Sequence, residues 1–186
     1  SSIDMIFDDI SVGAGGIFTA STDNSITGDI YIMDSNITMD MEGTRTTGDN
    51  QGITSSLGSV DIYGSGITIN MDTGKGDGIQ AGKHFLDEPS AYDDRNIWIN
   101  IDSSEVLIVN NGKDISEEVT GICATKGKLG VQNSVISTQT TRASESGDVM
   151  GVMATNDIYI TENSVINAKV APESNTFNYV NGIYSE

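Results

Sequence analysis

Acidic side chains are the most numerous groups in this chain that could do chemistry. Asp8 and Asp9 are adjacent, as are Asp93 and Asp94, and paired carboxyl groups hydrolyse glycosidic bonds when one protonates the leaving oxygen and the other activates water. One pair lies near the start of the sequence and the other in an insertion, and the sole histidine, His84, is not in a Gly-His-Gly setting. We therefore assign no catalytic residue, and the sequence favours a protein that is not an enzyme.

Two segments have residue types that bind calcium. Asp72 to Asp77 reads Asp-Thr-Gly-Lys-Gly-Asp, and glycines between acids permit the tight curvature that points oxygen ligands at one ion. The spacing of an EF-hand is missing, so a plain turn is the favoured interpretation. An acidic insertion, with His84 in it, is a second place for a metal, although a decorated turn with solvated charges is the favoured interpretation. No cofactor is certain, and the calcium candidates are Asp72, Asp77, Asp87, Glu88, Asp93 and Asp94.

Aromatic residues are scarce, and several of them alternate with isoleucine or valine. Tyr31 lies between Ile30 and Ile32, so the ring faces outward if the isoleucines face a core. Outward rings on a flat sheet can stack on pyranose rings, and nearby amides and carboxylates can bind sugar hydroxyls. Packing of the rings under loops or against another protomer is an equal alternative. The glycan-binding candidates are Tyr31, Tyr63, Trp98 and Tyr159 with Asp61, Asn100 and Asp102.

A phrase that recurs about every thirty residues must position these side chains. It consists of Gly followed by Ile or Val, a short alternating run, and then Ser-x-Ile or Ser-x-Val. Gly52, Gly121 and Gly151 each precede their serine by thirteen residues. A fixed period with strand-like alternation predicts a stacked solenoid. The serines, at intervals of 30, 39, 30 and 30 residues, are Ser35, Ser65, Ser104, Ser134 and Ser164.

Residues 121–138 show the predicted content of one coil. Ile122 and Ala124 alternate, Leu129 and Val131 alternate, and Ile136 follows a turn, which makes three half-buried strands. The segments are too short and too rich in β-branched residues for an α-solenoid. The fold class is therefore all-β, a solenoid of five to six coils with three short parallel strands and about 30 residues per coil.

Alternation also places Cys123, with Thr54 and Gln80, in an outward slot. The repeated serines are expected at corners, where their hydroxyls bond the backbone.

The third full coil has an insertion at residues 82–96. Its nine additional residues must leave the barrel as a loop, which is where solenoids place recognition. We expect residues 1–186 to form a single β-helix domain that is a segment of a longer protein, since it begins at Ser1 without Met and an isolated solenoid needs caps on its ends.

The repeated Gly-Ile or Gly-Val and Asn-Ser-x-Ile or Asn-Ser-x-Val patterns, as at Asn133–Ser134, resemble right-handed parallel β-helix proteins of the pectate-lyase-like superfamily. They also resemble the repetitive β-helical surface proteins and adhesins of bacteria, and residues 76–79 (Gly-Asp-Gly-Ile) resemble turns of calcium-dependent polysaccharide-binding β-helices. The resemblance implies a right-handed, single-stranded β-helix. Polygalacturonase-like members have a Gly-His-Gly that His84 lacks, and lyases have an Arg or Lys base, for which Arg95 is the candidate in the insertion.

The net charge of the chain limits the classes of partner that it can bind. Nine basic and 27 acidic residues give a net charge of −18, which argues against nucleic acid and anionic membrane surfaces as partners. No apolar run is long enough to span a bilayer, and a single cysteine excludes an internal disulfide framework.

We therefore expect a non-catalytic, extracellular protein, secreted or attached to the cell surface, that acts in adhesion or carbohydrate binding. Its partner would be a polysaccharide or a glycan of a host or cell surface. One alternative is a polysaccharide lyase or glycoside hydrolase of the pectate-lyase-like fold. Another is a structural repeat of a surface fibre or layer that self-associates end to end or laterally.

Overall fold

Strands make up all the regular structure that is described. The computed structural model describes residues 1–10, 14–19, 28–43, 50–72, 76–82, 97–112, 119–125, 127–142, 149–172 and 180–185. None of these residues lies in a helix, and accordingly none belongs to a helix that could cross a membrane.

Seventeen described strands form three sheets. Sheet A contains β1 (Ser2–Ile10), β4 (Asn36–Gly43), β7 (Gly66–Asp72), β10 (Glu105–Gly112), β13 (Val135–Arg142) and β16 (Val165–Pro172). Sheet B contains β2 (Gly15–Thr19), β5 (Asn50–Ser55), β8 (Gly76–Ala81), β11 (Val119–Ala124), β14 (Val149–Ala154) and β17 (Val180–Ser185). Sheet C contains β3 (Ile30–Met33), β6 (Val60–Tyr63), β9 (Ile97–Asp102), β12 (Gly127–Gln132) and β15 (Ile158–Thr161). The chain visits A, B and C in turn, so each circuit is one coil.

Equivalent residues of successive coils pair in parallel. Ile37 pairs with Ile67 in sheet A, a separation of one thirty-residue period. Val60 pairs with Ile99 in sheet C, so the 39-residue interval leaves the register intact. The predicted all-β parallel solenoid is thereby confirmed. Of the predicted insertion only Gly82 is described, and residues 83–96 lie outside the described residues.

The core is a set of stacked columns of inward side chains. Ile53, Ile79, Ile122 and Val152 form one column in sheet B, and each is fully buried. Two positions later the chain places small residues in the lumen, where larger side chains from the other sheets meet them. These small residues, also fully buried, are Ser55, Ala81, Ala124 and Ala154.

The repeated serines form a hydrogen-bonded ladder at the corner between sheets C and A. The amide of Ser65 donates to Ser104 Oγ over 3.0 Å, and the amide of Ser104 donates to Ser134 Oγ over 3.0 Å. Ser104 Oγ in turn donates to the carbonyl of Asp102 over 2.7 Å. This bonding confirms that the serine column closes the corner.

Close packing explains why glycine recurs in the first half of the repeated phrase. A Cβ atom on Gly121 would lie 2.5 Å from the carbonyl oxygen of Gly151 and 2.9 Å from the side chain of Thr138. Sheets A and B therefore approach so closely here that only glycine fits.

The alternation predicts outward side chains in sheet B, but it does not predict that they are buried. Thr54, Gln80 and Cys123 occupy the slot between inward residues of sheet B, yet their exposures are 0%, 4% and 3%. Strands β5, β8 and β11 are buried along both faces. Pointing away from the lumen therefore does not by itself expose a side chain to water.

Candidate ligand-binding face

The outward positions of sheet C form the most open aromatic surface in the described part of the chain. One column runs through Tyr31, Asp61, Asn100, Gly130 and Tyr159, which pair across successive strands. Tyr31 is 67% exposed and Tyr159 is 45% exposed, while Asp61 and Asn100 are half-buried. The outward orientation predicted for Tyr31 and Tyr159 is confirmed, and their role in binding a ligand stays a prediction.

Two rings meet on this face although their strands are not neighbours. Trp98 lies on β9 and Tyr159 on β15, with β12 between them, a backbone separation of about 10 Å. Their ring centroids are nevertheless 5.7 Å apart and their planes differ by 27°. The Trp98 ring leans over Gly130 of the intervening strand, where a Cβ atom would be in ordinary contact with the ring at 3.7 Å. The pair forms a stacked aromatic unit above a strand with no side chain at that point.

A lysine lies over the stacked rings. Lys128 Nζ is 5.3 Å from the centroid of the Trp98 ring and 5.8 Å from that of Tyr159, within the range of a cation–π interaction. The same nitrogen is 3.5 Å from Asp157 Oδ2, and the Tyr159 hydroxyl donates to that oxygen over 2.9 Å. The rings and Asp157 therefore hold one ammonium group.

Polar groups border the ring pair. Asn100 Nδ2 donates to Asp61 Oδ1 over 2.6 Å. The amide oxygen of Asn100 takes no part in this bond. The carboxylate of Asp102 accepts a bond from the Ser103 hydroxyl over 2.9 Å. A shallow groove of about 370 Å³ runs beside them, and its lining includes Trp98, Tyr159, Asn100, Asp102, Gln132 and Thr161.

The predicted glycan residues fall into two groups. Tyr31 and Tyr63 lie on β3 and β6, toward the other end of the sheet, and Tyr31 is separated from Tyr159 by four strand spacings, about 19 Å. The Tyr31 hydroxyl contacts Asp29 Oδ2 at 3.5 Å. The negative charge of Asp29 raises the pKa of Tyr31, with smaller contributions from desolvation and from Asp61. Trp98 and Tyr159 are brought together with Asn100 and Asp102, and Tyr31 and Tyr63 are not.

Sequence reasoning missed Lys128, Asp157 and Gly130. Lys128 pairs with Trp98 and Gly130 with Asn100, thirty residues apart in each case. Writing the sequence in thirty-residue rows would have placed these residues beside the predicted ones.

The described calcium candidates belong to different sheets. Asp72 ends β7 of sheet A, while Asp77 lies in β8 of sheet B and is only 5% exposed. Within the described ranges no cluster of three or more His, Cys, Asp or Glu residues could hold a metal ion. The calcium assignment stays a prediction, and its members outside the described residues are Asp87, Glu88, Asp93 and Asp94, together with His84.

A second groove, of about 330 Å³, lies on the outer face of sheet A. Asp40, Glu42 and Asp72 line it together with Asn70, whose amide donates to Asp40 Oδ1 over 2.7 Å. It has acidic and amide groups but no ring, so the face of sheet C is the stronger candidate for a sugar.

Comparison with protein-family models, with curated proteins and with solved structures finds no match. The likeness to the pectate-lyase-like superfamily therefore stays a prediction, and the structure by itself establishes an all-β parallel solenoid.

Proposed function

We propose that this protein is a non-catalytic, extracellular β-solenoid that binds a polysaccharide through the outer face of sheet C and so serves adhesion or glycan capture. The observation that carries the proposal is the Trp98–Tyr159 pair beside a groove with amide and carboxylate groups. Sugar sites combine these two elements, since pyranose rings present C–H faces to aromatic rings and hydroxyls to polar groups.

The geometry of the sheet suits a linear polymer. Parallel strands repeat every 4.8 Å or so, which is close to the length of one pyranose unit in an extended chain. A polysaccharide lying across the strands would pass the ring pair and then reach Asn100, Asp61 and the second pair of rings, Tyr31 and Tyr63. Binding along several strands explains why a rigid solenoid is a suitable scaffold.

Retention on immobilised polysaccharides tests this proposal. Trp98→Ala and Tyr159→Ala should each weaken retention roughly threefold to tenfold, because each removes one stacking ring. Tyr184→Ala is the matched control, since Tyr184 is 37% exposed on β17 of sheet B. Equal retention of all three variants and the unaltered protein would contradict the proposal.

The location outside the cell is part of the same proposal. Antibody labelling of intact cells, compared with permeabilised cells, tests it directly. Labelling that requires permeabilisation would contradict an extracellular location.

End-to-end assembly is a second candidate, which a different observation favours. Ile160 and Ile183 continue inward columns, yet each is 47% exposed, whereas their partners Val131 and Val152 are buried at 2% and 0%. An open coil end exposes apolar side chains and unpaired strand edges, which another coil would cover. Sedimentation over a range of concentrations tests it, and a monomer at every concentration would contradict it.

A further inference from the structure

The ring pair on sheet C already holds a positive charge, which belongs to the protein itself. Lys128 Nζ lies over both rings and 3.5 Å from Asp157. The faces of indole and phenol rings are negative, so they attract an ammonium group, and a carboxylate beside them adds to the attraction. Trp98, Tyr159 and Asp157 are therefore a preformed ammonium site.

Lys128 is a replaceable occupant of this site. Its side chain is 29% exposed and that of Asp157 is 57% exposed, so solvent reaches both partners. An ion pair this exposed contributes little to stability, and a lysine side chain has enough rotamers to swing into water. Gly130, two residues along the same strand, presents no side chain to the rings, and a Cβ atom there would only be in ordinary contact with Trp98 at 3.7 Å. The site can thus be emptied without disturbing the solenoid.

The surrounding charge favours a cationic ligand. Tyr31, farther along the face, has its pKa raised chiefly by the charge of the neighbouring Asp29, so acidic groups dominate the surroundings of that ring too. Anionic sugars such as uronates would be repelled from such a face. Among the described residues on this face and its corners Lys128 has the one cationic side chain, and the acids are Asp29, Asp34, Asp61, Asp102, Asp157 and Glu162.

We propose that the ligand of this face is an amine-bearing sugar polymer, and that one of its ammonium groups replaces that of Lys128 between the rings and Asp157. This inference rests on the proposed polysaccharide binding and specifies its substrate class. Lys128 then acts as an internal competitor, which lowers affinity until a polymer with several amines displaces it.

Titration with two oligosaccharides tests the competition. The probes are a β-1,4-linked glucosamine hexamer and its N-acetylated counterpart, at a mildly acidic pH where the sugar amines are protonated. Lys128→Ala should tighten binding of the glucosamine hexamer roughly threefold to tenfold, because it removes the competing cation. Lys128→Arg retains a cation over the rings and should bind it as the unaltered protein does.

A control variant separates local competition from overall charge. Lys169 is exposed on β16 of sheet A, so Lys169→Ala changes the net charge equally without touching the rings. Its affinity for the glucosamine hexamer should stay unchanged. Equal tightening in Lys169→Ala and Lys128→Ala would overturn the inference, as would weaker binding after Lys128→Ala.

The outcomes also separate this inference from the proposed function. If the N-acetylated hexamer binds, Trp98→Ala weakens it, and Lys128→Ala does not affect the glucosamine hexamer, polysaccharide binding stands and the amine preference fails. If neither hexamer binds to any variant, the amine preference fails, and the retention test on other immobilised polysaccharides decides the proposed function separately. A lysine peptide of equal charge that binds more tightly than the glucosamine hexamer would also overturn the inference, in favour of a protein partner.

Discussion

The inner strands of sheets B and C have the same alternation and different outward environments. In sheet B the outward residues Thr54 and Gln80 are 0% and 4% exposed, whereas Tyr63, on inner strand β6 of sheet C, is 48% exposed. Alternation therefore determines which way a side chain points but not whether water reaches it. Candidate sites on a solenoid must accordingly be selected by sheet as well as by period.

A charge placed in the equivalent outward slot should separate the two faces most strongly. Thr54→Glu should lower the free energy of unfolding by about 3–5 kcal/mol, because it leaves an unpaired charge in a buried slot. Thr161→Glu, at an exposed outward position of sheet C, should change it by no more than about 0.5 kcal/mol. Urea unfolding of both variants measures the difference, and similar values for both would break the comparison.

Glycine substitutions should sharpen the same comparison with a smaller effect. Gly121→Ala in sheet B should lower the free energy of unfolding by about 1–3 kcal/mol, since its Cβ would meet a backbone oxygen at 2.5 Å. Gly130→Ala in sheet C meets the end of the Asn100 side chain at 3.0 Å and the Trp98 ring at an ordinary contact distance of 3.7 Å, so it should stay within about 0.5 kcal/mol of the unaltered protein. The same unfolding assay decides, and an equal loss in both variants would show that Gly130 is also required for folding.

The smallest expected effect concerns the charge of the exposed face. Asp29→Asn should lower the pKa of Tyr31 toward its ordinary value of 10.0, because Asp29 is the largest cause of the upward shift. A raised pKa means that the folded protein holds the phenol proton more tightly. The resulting contribution to stability is present below pH 10.0 and is lost as pH rises through the shifted pKa.

Nuclear magnetic resonance of labelled tyrosine measures this titration. Asp40→Asn, on the outer face of sheet A, is the matched control and should leave Tyr31 unchanged. An identical Tyr31 titration in Asp29→Asn and in the unaltered protein would contradict the assignment of the shift to Asp29.

Much of the fold was predictable because its contacts repeat. The serine ladder joins residues 30 or 39 positions apart, as in the bonds from Ser104 to Ser134 and from Ser65 to Ser104. A contact that recurs with the sequence period can be recognised without a structure, and the inward isoleucines follow the same rule. Ile53, Ile79 and Ile122 were accordingly predicted in the core and are fully buried.

The candidate site was predictable only in part. Its residues were recognised as outward aromatic and polar groups, but the contact between Trp98 and Tyr159 passes over the intervening strand β12 and joins two different outward positions of the repeat. It depends on two side chains leaning over Gly130, and side-chain direction along a strand is not encoded in the alternation. The period places Lys128 beside Trp98, but it does not show that the ammonium group lies over both rings.

The sequence by itself determined the period, the three strands of each coil, the inward columns and the serine corners, because these depend on local alternation and on contacts that repeat. Only the tertiary structure decided which outward faces are open, which rings stack and where one lysine lies. Those features depend on non-repeating neighbours from different coils, and coil stacking brings such residues together.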